Sequence, residues 1–334
     1  MIYKSYGDLT SHSYLRNRNA ELKVDIATLS EELATGKKSD LVSELGGDFS
    51  YLADIENNLN RLDSQMVATG ETELFALGMQ SNLSRIQDST QNMRDNIYSA
   101  TPSMTSTDAQ RFSTEAARQL DTAISSLNGW VGGRSLFAGT ATGTSPLNST
   151  DTLMTELLGE VAGLTDADDI IQAVKDWFSD PAGFDTAMYV GSTTDLTPVE
   201  VGDGEEVSLS LRADNPDLKH SLQSFAIIAL INEPSLGLSH GTQIDLARAG
   251  GGELADSTDR MIDVQADIGF IEAQLERVNT RNVASKTSLS LAYNEIVLAD
   301  TYETTTRFEA SEVQLEILYT VTSRSANLNL VNYM

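Results

Sequence analysis

The sequence predicts a mainly α-helical protein: a long antiparallel, coiled-coil-like helical bundle formed by the N- and C-terminal flanks, with a small α+β domain inserted between them. Three observations predict this. Five of the six prolines and sixteen of the twenty-three glycines lie between Gly129 and Gly252, so the flanks are almost free of helix breakers. Each flank carries apolar residues in alternating steps of three and four, the heptad pattern of a helix that buries one stripe. A composition of 40% hydrophobic and 21% charged residues over 334 positions is that of a folded chain.

In the N-terminal flank the seam runs through Leu15, Leu22, Ile26, Leu29 and Leu33, with Asn19 filling one gap. Thr35-Gly36-Lys37-Lys38 ends it, since glycine suits a helix C-cap and lysines suit the negative end of the helix dipole. A second seam begins at Leu52, Ile55, Leu59, Leu62 and Met66 and resumes in shifted register at Met79, Leu83, Ile86, Met93 and Ile97. Two consecutive steps of three near Thr69 and Thr72 account for the shift, a stammer that overwinds a coiled coil. One helix over 51–98 would be about 70 Å long. Thr101-Pro102-Ser103 stops it, and a shorter helix is expected from about Thr107 to Leu127.

In the middle, Ala187–Val190, Val207–Leu211 and Thr197–Val201 look like strands. Thr165-Asp166-Ala167-Asp168 looks like a capping box that opens a helix towards Trp177, and Asn215-Pro216 gives an N-cap followed by proline at the first helical position. The C-terminal flank repeats the heptad pattern at Met261, Val264, Ile268, Ile271, Leu275 and Val278, then at Leu289, Ala292, Ile296 and Ala299. A rod from Leu254 to about Thr306 would span roughly 80 Å. A last amphipathic segment holds Phe308, Leu315, Leu318, Leu328, Leu330, Val331 and Tyr333. The expected divisions are a terminal helix over 1–40, helical rod over 41–145, inserted α+β domain over 146–235, returning rod over 236–306 and a second terminal helix over 307–334. The outermost helices would have only each other to pack against, and a two-helix pair leaves apolar surface exposed for partners.

Charge and residue chemistry exclude much. With 49 acidic against 22 basic side chains the net charge is −27, which opposes nucleic-acid and anionic-membrane partners. The acid is concentrated in the middle: residues 129–252 hold 18 acids against 5 bases, while 1–35 hold 5 against 4 and 307–334 hold 3 against 2. Without cysteine there are no disulfides, thiolate metal sites or cysteine nucleophiles. Neither a signal peptide nor a run of about 20 apolar residues is seen, so the expected location is the cytoplasm or a destination reached without a cleaved signal. His12, His220 and His240 lack ligand spacing, and an EF-hand loop begun at Asp166 would place Ile171 where glycine is needed. Gly132-Gly133-Arg134-Ser135-Leu136-Phe137-Ala138-Gly139 has neither the Walker lysine nor the dinucleotide-binding spacing. No catalytic, cofactor or metal residue is assigned, and the chain is not expected to be an enzyme.

That same segment, with Asn128-Gly129-Trp130-Val131 before it and Thr140 and Thr144-Ser145-Pro146-Leu147 after it, resembles the glycine-rich turn of the flagellin-like family, in particular its hook-associated protein 3 group. Ser135 and Leu147 stand where that group usually carries aromatics. Leu29-Ser30-Glu31-Glu32-Leu33-Ala34-Thr35-Gly36-Lys37-Lys38 resembles the family's N-terminal helix end. The ending Leu328-Asn329-Leu330-Val331-Asn332-Tyr333-Met334 is similar to the hook-associated ending. The resemblance implies a structural protein joining flagellar hook to filament, exported by the flagellar type III route with a chaperone. Its terminal helices would self-associate in a helical ring as an inner tube and contact a neighbouring hook-associated protein and a filament-side junction protein or flagellin. The assembly residues expected on this basis are Leu22, Ile26, Leu29, Leu33, Leu315, Leu318, Leu328, Leu330 and Tyr333. Filament flagellin and a cytoplasmic coiled-coil adaptor are the alternatives.

Overall fold

A computed structural model describes residues 4–331, with side chains over 10–324. The fold is mainly helical, as expected, and divides into two compact units: residues 1–62 with 284–334, and residues 63–283. Both boundaries fall inside long helices, α3 (Ser50–Ala100) and α9 (His240–Val297).

In the first unit α1 (Lys4–Thr35) packs antiparallel against α10 (Thr301–Val331). The termini of the two helices have identifiable causes. Gly36 adopts φ +68°, a left-handed conformation in which its N–H still donates to Glu32 O (2.8 Å) and closes α1. At the start of α10 the Asp300 carboxylate accepts the Tyr302 and Glu303 N–H groups (2.9 and 3.1 Å). The two interruptions are stitched together: Lys38 N–H donates to Val297 O (2.9 Å), Ala299 N–H donates to Gly36 O (3.1 Å), and Lys37 and Leu298 form an antiparallel bridge. The expected continuous rod to Thr306 is therefore broken at 298–300. A short helix α2 (Leu41–Glu44), capped by Asp40, follows α1.

The second unit is built around α8 (Pro216–Ala229), capped by Asn215 as expected. From Ser221 to Ile231 every residue is buried, so this helix lies inside a core rather than beside one. α4 (Ser106–Leu127), opened by a Thr105/Asp108 capping box, packs along it. Buried Ser113 on α4 donates to Ala229 O (2.7 Å) and accepts from Asn232 N–H (3.2 Å), which satisfies two backbone groups at the end of α8. α9 approaches closely at Gly250 and Gly251. A Cβ at Gly250 would lie 2.3 Å from Ile228 Cγ1, and one at Gly251 would lie 2.8 Å from Ile97 Cγ2. These glycines are thus part of a helix that begins at His240, well before the expected Leu254.

Between α4 and α8 lie the ribbon β1–β2 (Trp130–Val131, Arg134–Ser135), α5 (Thr150–Glu160), α6 (Ala167–Ser179), α7 (Phe184–Ala187) and the hairpin β3–β4 (Val199–Gly202, Glu205–Val207). The cap of α6 is Asp166, one residue later than expected. Trp177, Phe178 and Phe184 form a ring cluster with centroids 5.1–6.1 Å apart. The strand expected at Ala187–Val190 is instead the end of α7 plus a single Leu147–Tyr189 bridge, and beyond Val207 the chain leaves the ladder.

The β3–β4 hairpin covers the stammer in α3. There the seam is polar, with Gln65, Thr69 and Thr72 buried. Gln65 Nε2 donates to Asp203 (3.2 Å), while Thr69 Oγ1 and Asn282 Nδ2 both donate to Val201 O (3.4 and 2.9 Å). Val201 and Val207 close over Leu275 and Val278 of α9.

Candidate assembly surfaces

The structure brings together six of the nine expected assembly residues. Leu22 and Leu29 are buried, and Ile26, Leu33, Leu315 and Leu318 are half-buried, all along the seam between α1 and α10 of one chain. Thr304, Phe308, Ser311 and Thr322 continue the α10 seam at steps of three and four. The side chains of Leu328, Leu330 and Tyr333 lie outside the described residues. The seam leucines thus hold two helices of the same molecule together, and the surface free for a neighbour is the opposite side of each helix.

That opposite side was not singled out by periodicity, and it is apolar. On α10, Val313 (54% exposed), Ile317 (57%) and Val321 stand with Ala310 in a row at steps of three and four. On α1, Tyr14 (68%) and Val24 (64%) are exposed, and Ala20 and Ala27 flank Val24. The signal was present in the sequence as a second, weaker stripe, masked by the stronger leucine seam half a turn away. Polar links tie the pair along its flanks: Arg18 donates to Gln314 (3.1 Å), and Asn19 and Lys23 hold the Tyr319 hydroxyl below its usual pKa by hydrogen bonding.

The glycine-rich turn is a packing device. Leu136, Phe137 and Ala138 are buried, and Gly139 turns at φ +59° where a Cβ would lie 2.5 Å from Thr194 O and 2.6 Å from Ser192 O. Ser135 is buried with its hydroxyl unpaired among the described residues. Nearby, Arg212 bridges Asp214 and Asp195, and its own pKa is raised chiefly by the Asp214 hydrogen bonds. Burial first, then the Asp214 charge, pushes the Tyr189 hydroxyl up to about 12. Glu253 on α9 accepts from Lys175 (2.6 Å) and His220 (3.3 Å), and these hydrogen bonds, His220's foremost, lower its carboxyl to about 2.

Among the described residues no cluster of His, Asp and Glu is arranged to hold a metal. One cleft of about 560 Å³ lies in the first unit, lined by Asp25, Glu32, Asp40, Glu44 and Glu303 with Lys38 and Arg307. These charged walls differ from the apolar lining of a small-molecule site. No described helix is long and apolar enough to cross a membrane.

Long helices, a paired terminal module and an exposed apolar face define a mainly helical protein that leaves apolar surface uncovered. By sequence, residues 254–334 match the family of the bacterial flagellin C-terminal helical region. In three dimensions the chain is similar to a protein from Vibrio parahaemolyticus described as flagellar hook-associated, with TM-score 0.50 and 16% identity over 73% of this chain and 95% of that one. It is also similar to FlgL from Bacillus cereus, with TM-score 0.50 and 14% identity over 72% of this chain and all of that one. At these identities the two structures establish a shared fold. No curated protein sequence matches the chain.

Proposed function

We propose that this chain is a structural subunit of the bacterial flagellum that joins hook to filament. One observation carries the reading: the α1–α10 pair satisfies its leucine seam internally yet keeps Tyr14, Val24, Val313 and Ile317 in solvent, and α10 lies within the flagellin C-terminal region. A face of that kind is stable in water only at a cost and is used when a neighbour covers it. Repeated head-to-tail contacts between such faces build a ring or tube. The role is structural rather than catalytic. On this reading the subunit leaves the cell through the flagellar type III route, escorted by a chaperone, and meets a hook-associated neighbour on one side and a filament-side junction protein or flagellin on the other.

Electron microscopy of a deletion strain tests the reading. Intact hooks with shed filaments are expected; normal flagella would overturn it. A second reading, filament flagellin, is favoured by the family matched at residues 254–334, and it predicts hooks carrying no filament protein of any kind in the medium. Leu318→Asp places a charge in the α1–α10 seam and should abolish assembly, while the unfolding transition of residues 63–283 stays where it is. Normal swimming in that mutant would count against the role of the pair.

A further inference from the structure

Asn128 and Gly129 form the one Asn-Gly step in the sequence, and the fold has a use for each residue. Asn128 follows the last turn of α4, and its carboxamide lies along the main chain of Leu147. Asn128 Nδ2 donates to Leu147 O (3.0 Å), and Leu147 N–H donates to Asn128 Oδ1 (2.9 Å). On its other edge the same stretch pairs with residues 188–190: Asn148 N–H donates to Met188 O (3.0 Å) and Val190 N–H to Pro146 O (2.8 Å). The side chain thus stands in for a third strand, because a carboxamide offers a donor and an acceptor side by side. Gly129 is required for another reason, since a Cβ there would lie 2.8 Å from Asn82 Nδ2 and 2.9 Å from Ser126 O.

Packing therefore selects the dipeptide in which asparagine is chemically least shielded, because glycine has no Cβ to hinder attack by its nitrogen. We propose that Asn128 is a site of spontaneous deamidation, blocked in the folded chain and open whenever the chain is unfolded. Gly129 N loses its proton and bonds to Asn128 Cγ, the Cγ–Nδ2 bond breaks, and ammonia leaves with a proton. Water then opens the cyclic imide at either carbonyl, giving aspartate or isoaspartate. Folding opposes the first step twice. The carboxamide is held on Leu147, and Asn128 is fixed at ψ 17°, well away from the torsion that brings Gly129 N to Cγ. The product cannot remake the contact: an ionised carboxylate has no donor for Leu147 O, and isoaspartate reroutes the main chain through Cγ. Leu147 is buried, so its carbonyl then loses a partner away from water. Deamidation is thus a one-way mark on chains that stay unfolded, and the inference is independent of the hook-to-filament reading.

The test uses the full-length protein, incubated at one mildly alkaline pH in buffer and in unfolding guanidinium chloride, with peptides followed by mass spectrometry. Deamidation at Asn128 should be more than about tenfold slower in the folded sample. At denaturant concentrations below the midpoint, the residual rate should rise in step with hydrogen exchange of the Leu147 amide, whose bond to Asn128 must open for both. Asn128→Asp protein should unfold at lower denaturant than the parent at neutral pH, or fail to fold there. The gap should narrow towards about pH 4, where a protonated carboxyl again offers a donor to Leu147 O. Equal rates in the two samples, residual deamidation decoupled from Leu147 exchange, a parental midpoint in Asn128→Asp at neutral pH, or a gap indifferent to pH would each overturn the proposal.

Discussion

Residues 63–283 and the α1–α10 pair use apolar residues in opposite ways. In the first region Phe137, Phe184 and Phe225 are wholly buried, α8 is enclosed on every side from Ser221 onwards, and helices approach until only glycine fits. In the second, one stripe is covered and the next is left open, so that α10 alone exposes Tyr302, Val313, Ile317, Tyr319 and Val321. A three-dimensional core can be completed by one chain, whereas two helices have too few sides to cover each other. The lesson is that completed packing and uncovered apolar surface are assigned to different stretches of the same sequence, and mutations should separate them.

The sharpest separation is Phe225→Ala. Emptying that site should cost about 3–5 kcal/mol in the unfolding of residues 63–283, read from denaturant midpoints. Leu22→Ala should leave the same transition in place; a common loss in both mutants would break the distinction. Acid comes next. The lowered carboxyl of Glu253 stabilises the folded state above its unfolded pKa near 4.5, and this contribution erodes as pH falls from there towards about 2. It amounts to something on the order of 2–3 kcal/mol. Glu253→Gln should flatten the melting temperature against pH in that window, and an unchanged acid limb would refute the role of the Lys175–Glu253–His220 cluster. Gly250→Ala raises intrinsic helix propensity by about 1 kcal/mol, yet its Cβ collides with Ile228. A net loss of about 1–3 kcal/mol is expected from the overpacking, and a gain would show that α9 can shift freely over α8. The smallest effect is Ser135→Ala, which removes a buried unpaired hydroxyl and should be neutral or stabilising by up to about 1 kcal/mol in the same assay.

Much of this architecture was legible because it is written in short-range rules. The leucine seams, the Gly36 stop and the Asn215-Pro216 start each depend on a few neighbouring residues, and each is where periodicity and capping put it. Tertiary packing overrode local rules elsewhere. Gly250, Gly251 and Gly252 look like a breaker, but close contact with Ile228 and Ile97 makes the first two a requirement of the helix they sit in. Ala187–Val190 has strand composition, yet Met188 N–H and Tyr189 N–H both donate back to Phe184 O. The break before α10 contains no glycine or proline. Asp300 followed three residues later by Glu303 was the available sign. The outer ridge of α10 escaped because a heptad search stops at the strongest stripe, and its meaning emerges only once the seam is seen to be occupied from within.

The tie between the two helix interruptions constrains the gene in an unusual way. Lys38, Val297, Ala299 and Gly36 are joined through main-chain atoms, which constrain chain length more than side-chain identity, although Val297 is also buried and Lys38 pairs with Glu44. The number of residues cannot drift. One codon added or removed between Thr35 and Asp40, or between Val297 and Thr301, would turn one helix by about 100° against its partner and carry its leucines out of the seam. This joint should therefore tolerate substitutions at its exposed positions, such as Lys37, far better than insertions or deletions.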